Sequence, residues 1–150
     1  MREFDVAKGY EEYDITFPMR STKASAGYDF YCIEDIEIPP FELGREPTMV
    51  PTGLRAIFPT NEFLMLVNRS SNPKKKGLVI PSSMGVVDSD YAGNPDNDGA
   101  IFFTFWNMKK EAVHLKAGEK LGQGIFVQYG TTDSDNAKGE RTGGFGSTGK

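Results

Sequence analysis

The 150 residues suffice for one domain around a single core, and their net charge of -4 lacks the clustered basic face that duplex binding needs, so no stable nucleic-acid partner is expected. One cysteine, Cys32, excludes an internal disulfide framework, and with His114 as the only histidine it excludes a zinc site built from those two residue types. No apolar run reaches the length of a membrane span, and Met1-Arg2-Glu3-Phe4-Asp5 is too acidic and mixed for a signal peptide, which points to a soluble, cytoplasmic protein without a membrane partner.

Seventeen glycines and 9 prolines divide the apolar residues into short runs, the punctuation of an all-β domain. In chain order the runs predict strands over residues 13–17, 28–32, 36–38, 53–58, 63–68, 77–80, 85–88, 100–107, 112–115 and 121–128. So many short strands close most economically as a distorted jelly roll or β-clip type barrel. One short helix is expected over residues 71–76, where Asn72-Pro73 gives a turn-like start. Residues 131–150 hold one aromatic, Phe145, and no Val, Ile, Leu, Met, Tyr or Trp, so they cannot bury enough surface to fold alone. The expected division is a core of residues 1–130 and a mobile C-terminal arm of residues 131–150.

Four internal segments carry chemistry. Ser25-Ala26-Gly27-Tyr28-Asp29-Phe30 is a small turn entering a strand with a carboxylate among aromatics. Asn68-Arg69-Ser70-Ser71-Asn72-Pro73-Lys74-Lys75-Lys76-Gly77 follows an apolar run, so a strand delivers an arginine fork, hydroxyls and a helix start to one place, a combination suited to phosphate. Met84-Gly85-Val86-Val87-Asp88-Ser89-Asp90-Tyr91-Ala92-Gly93, then Asn94 to Gly99 and a second apolar run, reads as a hairpin. Asp88 ends its apolar strand and, if alternation continues, shares a face with Asp90; a carboxylate at a strand end near a cavity is a candidate general base. In Gly118-Glu119-Lys120-Leu121-Gly122-Gln123-Gly124, bare backbone on both sides of Gln123 leaves room for a ligand to approach its amide.

The chain closes on Gly143-Gly144-Phe145-Gly146-Ser147-Thr148-Gly149-Lys150. Its backbone N–H groups can wrap phosphate oxygens, and Phe145 offers a flat apolar face to a base, which reads as a lid for a nucleotide. Residues 144–150 also copy the opening of a phosphate-binding P-loop. That reading fails because polar Asp133-Ser134-Asp135-Asn136 stands where a buried strand is needed, and no Ser or Thr follows Lys150.

Taken together, the five segments resemble the motifs of the trimeric dUTPase family: Ala-Gly-x-Asp, Arg-Ser with downstream Lys-Gly, Gly-x-x-Asp-x-x-Tyr-x-Gly, Gly-x-x-x-x-Gln, and a terminal Gly-Gly-Phe-Gly-Ser-Thr-Gly. All five occur in that order between Ala26 and Gly149. The resemblance implies an all-β jelly roll, a homotrimer, and magnesium-dependent hydrolysis of dUTP to dUMP and pyrophosphate, which keeps uracil out of DNA and supplies dUMP for thymidylate synthesis. It implies that Asp88 activates the attacking water, that Asp29 reaches Mg2+ through bound waters while the phosphates hold the ion, and that Tyr91 excludes a 2′-hydroxyl. Arg69, Ser70, Ser71 and Gln123 would hold the phosphates, with Lys74 a further candidate. Uracil would meet main-chain groups of the hairpin after Tyr91. Phe145 would stack on the uracil while Arg141, Gly146, Ser147 and Thr148 close over the triphosphate, and the arm would reach a neighbouring subunit's site.

Three departures from the family pattern stand out: Ala92 where Arg is frequent, followed by an insertion-like turn from Asn94 to Asp98; one residue fewer between Arg141 and the glycine pair; and Ser71 where Gly is usual. Cys32 is expected to be a core thiol, His114 a surface histidine, and Trp106 a core or interface residue. Two alternatives stay open: a dCTP deaminase-like nucleotide enzyme, and a dUTPase with an added role in binding a regulatory protein partner.

Overall fold

A computed structural model describes residues 1–144, so Phe145, Gly146, Ser147 and Thr148 lie outside the described residues. Eleven strands follow in order: β1 (Glu3–Val6), β2 (Tyr28–Tyr31), β3 (Ile36–Ile38), β4 (Thr48–Pro51), β5 (Leu54–Ile57), β6 (Glu62–Asn68), β7 (Leu78–Val79), β8 (Gly85–Asp88), β9 (Phe102–Asn107), β10 (Val113–Leu115) and β11 (Lys120–Gln128). Two short helical turns, Asn72–Lys76 and Ser89–Tyr91, complete the elements among the described residues. No helix among the described residues is long and apolar enough to cross a membrane. This is the all-β jelly-roll class that the punctuation predicts.

A four-stranded sheet, β2-β11-β6-β8, packs on a three-stranded one, β4-β9-β7, with the two-stranded pairs β1-β5 and β10-β3 beside them. Alternation explains the core, since Leu64 and Leu66 of β6 turn inward while Phe63 and Met65 turn outward. From the other sheet Phe103 and Phe105 alternate with half-buried Phe102 and Thr104. The two layers meet at Phe30 and Phe103, whose ring centroids lie 5.6 Å apart. Burying each such side chain contributes roughly 1.5–3 kcal/mol.

Three expectations are corrected. Residues 13–17 form no strand: Ile15 instead packs onto Gly53, and Pro18 removes the donor that would extend a ladder. Two strands were not anticipated, β1 and β4. The second is bounded by Pro47 and Pro51, and it tolerates a proline because it pairs only with β9 and lies at a sheet edge. The predicted hairpin does not form, since β8 pairs with β6 and β9 with β4 and β7. The residue before β9 is captured elsewhere, with Ile101 N donating to Leu54 O at 2.8 Å and Thr52 N donating to Ile101 O at 3.1 Å.

Cys32 is buried and His114 exposed, as expected; Trp106 is half-buried, its ring edge-on to Phe41 at 5.1 Å.

Candidate active site

One polar cavity of about 390 Å3 is lined by Ser21, Asp29, Asn68, Arg69, Ser70, Ser71, Lys120 and Gln123. Strand pairing assembles it from distant segments. Gln123 lies opposite Asp29 across β2-β11 and opposite Val67 across β11-β6, one residue before Asn68 ends β6. The chain then turns through Arg69, Ser70 and Ser71 into a single π-type turn, Asn72–Lys76. Buried Asn72 anchors it, donating to Asn68 Oδ1 at 2.8 Å and Leu121 O at 2.9 Å, and Gly77 closes it in a left-handed conformation. Ser71 therefore stands immediately before this turn, where the sequence anticipates a short helix. Lys74 is exposed and outside the cavity lining.

At the centre, Asp29 is nearly buried. Its Oδ2 accepts from Lys120 Nζ at 3.0 Å and from Ser21 Oγ at 2.9 Å, and its Oδ1 from Gln123 Nε2 at 3.1 Å. Burial pushes its carboxyl up, but the hydrogen bonds from Lys120, Gln123 and Ser21 outweigh it and hold the group below the usual carboxylate range. With Arg69 beside it, the cavity is a polar, cationic cradle able to take an anion.

A β-bulge between Lys120 and Gly122 sets these directions, and it corrects one expectation. The glycines beside Gln123 do not open a path for a ligand. They face the core, where a Cβ on Gly122 would stand 2.4 Å from Phe103 Cε1 and one on Gly124 would stand 2.7 Å from Phe30 Cε2. Gln123 itself points the other way, into the cavity.

A second group gathers at the end of β8. Asp88 is half exposed, and Arg141 pairs with it and, through Nε, with Asp90 at 2.8 Å. Alternation ends at Asp88, because Ser89–Tyr91 is a 3₁₀ turn, yet one arginine reaches both carboxylates. The Arg141 guanidinium lies 5.7 Å from the Tyr91 ring centroid, and its already high pKa is raised further by hydrogen bonding to Asp90. At the other end of β8, Gly85 and Val86, with Leu66 of β6 and Phe102, Phe103 and Thr104 of β9, line a slot of about 140 Å3. Among the described residues β8 pairs only with β6, so its other edge lies open where the missing hairpin ladder would have closed it.

The structure thus brings Asp29, Arg69, Ser70, Ser71 and Gln123 together, and Asp88, Tyr91 and Arg141 together, but keeps the two sets apart. Asp88 lies opposite Phe63, five residues along β6 from Asn68, a separation of about 17 Å at strand rise. Ser21, Asn68 and Lys120 were missed by the sequence reading. Lys120 had a signal, as the single base within the Gly118-to-Gln128 segment, whereas nothing local marked Ser21. Among the described residues no group of three or more His, Cys, Asp or Glu could hold a metal.

The sequence model of the dUTPase family matches residues 13–149. A deoxyuridine 5'-triphosphate nucleotidohydrolase from Lactococcus lactis subsp. lactis (strain IL1403) is 44% identical over 151 aligned residues, covering 99% of this chain and 98% of the relative. One from Escherichia coli O9:H4 (strain HS) is 31% identical, covering 91% of this chain and 89% of the relative. The crystal structure of dUTPase from Streptococcus mutans matches with a TM-score of 0.77 at 40% identity, over 87% of this chain and 98% of that one. A mutant dUTPase from phage phi11 of S. aureus, with a coordinated structural Mg(II) ion, shares the fold at 19% identity, with a TM-score of 0.70 over 93% of this chain and 97% of that one.

Proposed function

The chain belongs to the dUTPase family and hydrolyses dUTP to dUMP and pyrophosphate, and we propose that it does so with a site split between two copies of the chain. The observation that carries this reading is the polar cavity, where Asp29, Arg69, Ser70, Ser71 and Gln123 converge from three distant segments.

Arg69, Ser70, Ser71 and Gln123 hold the phosphates there, and Lys120 joins them. Asp88 orients a water and takes its proton as the water oxygen attacks the α-phosphorus in line. The bond from that phosphorus to the bridging oxygen breaks, and pyrophosphate leaves. General-base help of this kind is worth roughly 100- to 10,000-fold, so charge stabilisation and positioning in the cavity must supply the rest. The half exposure of Asp88 suits a group that meets water.

The donor set fits magnesium brought by its substrate. A single carboxylate in a hydroxyl-rich, cationic cavity is too sparse for a protein-built metal cage, yet it suits a hard ion that keeps its waters and takes its other oxygens from phosphates. Asp29 would hold such waters, and the ion would neutralise charge developing on the phosphates.

The pyrimidine enters the slot between β8 and β9, where the free edge of β8 offers main-chain donors and acceptors. Tyr91 meets the deoxyribose, where a 2′-hydroxyl would clash. Since Asp88 and the phosphate cavity lie at opposite ends of β6, one chain cannot supply both to one α-phosphorus. A closed homotrimer pairs the Asp88 side of one copy with the cavity of the next. Exposed Met84 and Val86 beside the slot give that contact apolar surface. The arm, residues 131–150, then extends from Asp88 to the neighbouring subunit's cavity, with Phe145 on the uracil and Gly146, Ser147 and Thr148 over the phosphates. The setting is cytoplasmic, where free dUTP occurs.

The test is pyrophosphate release from dUTP, dTTP, dCTP and UTP with magnesium, beside Asp88→Asn. Strong preference for dUTP, lost with the substitution, is expected. Ammonia release from dCTP, or a variant that turns over at the wild-type rate, would sink the assignment.

A further inference from the structure

The turn inserted after Tyr91 is not a loose loop. Asn94 N donates to Tyr91 O at 3.1 Å, Asp98 N to Asn94 O at 2.7 Å, and Gly93 N to Asp98 O at 3.1 Å. Asp98 takes a left-handed backbone and ties the turn to the body: its Oδ1 accepts from Arg55 Nη1 at 2.9 Å and its Oδ2 from Lys8 N at 2.9 Å. Arg55 is itself held by Asp5 at 2.8 Å. Gly99, at φ +81, lies so close to Tyr91 that a Cβ would stand 2.5 Å from its carbonyl oxygen. The turn is therefore pinned between β5 and the backbone of Tyr91.

Within it, Asn97 does two things at once. Its Oδ1 accepts from Gly99 N at 3.1 Å, and its Nδ2 donates to Tyr91 Oη at 2.8 Å. The same phenol donates to Ala100 O at 2.9 Å. The far end of a ring 3% exposed is thus gripped on both its donor and acceptor sides. The described end of the arm touches the same place, since a Cβ on Gly144 would stand 3.2 Å from Asn97 Nδ2.

We propose that Asn97 is a positioning residue for sugar selection, holding the Tyr91 phenol so that the ring cannot swing aside for a 2′-hydroxyl. This rests on the reading of Tyr91 as the residue that meets the deoxyribose. A clash discriminates only as far as the clashing group resists moving, so the side chain that fixes the ring sets the size of the preference.

The test is kcat/KM for dUTP and UTP in Asn97→Ala and Asn97→Asp, each made in wild-type and Tyr91→Phe backgrounds and compared with Tyr91→Ala. The aspartate keeps an acceptor for Gly99 N–H and sets a second oxygen against the phenol, whose one proton can then serve either Ala100 O or the carboxylate but not both. One of the two grips is lost, so the variant carries the test even if the alanine variant fails to fold. Both Asn97 variants are expected to lower the dUTP-to-UTP ratio about tenfold, mainly through a lower KM for UTP. In the Tyr91→Phe background, which lacks the hydroxyl, they should change nothing further. An unchanged ratio in folded Asn97→Asp overturns the inference, as does an equal drop in the Phe background. If Tyr91→Ala itself keeps the ratio, the underlying role of Tyr91 fails instead.

Discussion

A Cβ placed on Gly27 would stand 2.8 Å from Gln123 Oε1, so the glycine of the first motif is required by the glutamine of the fourth. Gln123 packs over this bare backbone to reach Asp29 across the β2-β11 pair. Gly27→Ala is expected to push the amide off Asp29 and lower kcat/KM for dUTP by about 10- to 100-fold, in line with a misplaced positioning group. The protein should remain folded, since the amide can swing into the cavity and Gln123 Cβ, at 3.0 Å, needs to give by only a few tenths of an ångström. Steady-state pyrophosphate release with thermal unfolding checks it; full activity would show that Gln123 position is unimportant.

Asp29 links the same contacts to acid stability. Its folded carboxyl lies below the 3.8 of a free aspartate, because the Lys120, Gln123 and Ser21 hydrogen bonds outweigh burial. A depressed folded value adds stability that is fully present above the unfolded value and is lost as pH falls through the folded one. The stability gap between wild type and Asp29→Asn should hold constant from about pH 7 to about pH 5 and shrink below about pH 4 in urea titrations. A gap that grows on acidification would refute the pairing.

Lys120 should matter to substrate as well as to Asp29. Lys120→Met removes the one lysine in the cavity lining and, among the described residues, leaves Oδ2 of a nearly buried carboxylate with only Ser21 as donor. Weaker dUTP binding, by about tenfold, and a stability loss of about 1–2 kcal/mol are expected from isothermal titration with a non-hydrolysable analogue and from denaturation. Unchanged affinity would assign Lys120 to structure alone.

The sequence made some of this legible and hid the rest for identifiable reasons. Local alternation and glycine or proline punctuation located β2, β3, β6, β8 and β11 closely, and the order of motifs named every cavity residue except Ser21, Asn68 and Lys120. Register is not local, and this is why Lys120 escaped: its contact with Asp29 depends on a bulge and on a strand some 90 residues away. The same limit misread Gly122 and Gly124, whose space is filled by Phe103 and Phe30 from other strands. Two prolines disguised β4. The hairpin failed because the segment before β9 bonds to Thr52 and Leu54, which no pattern around Tyr91 reveals.

Arg141 gives the arm a measurable role. It bridges Asp88 and Asp90 and covers the Tyr91 ring, so Arg141→Ala should loosen the arm and leave the core intact. Deleting residues 140–150 should do the same more severely: a folded trimer by light scattering that still binds nucleotide weakly and turns over dUTP at least about 100-fold more slowly. Unfolding on truncation would contradict the division at residue 130.

The division of labour along β6 is tested most directly by mixing subunits. Asp88→Asn and Arg69→Ala are each expected to be nearly inactive alone, since each removes one half of every site. Unfolded together and refolded as an equal mixture, they should recover about a quarter of wild-type activity, because a random closed trimer places an intact Asp88 beside a neighbour's intact Arg69 at one site in four. Recovery near that level supports a site shared between copies; a mixture no more active than its parents would contradict it.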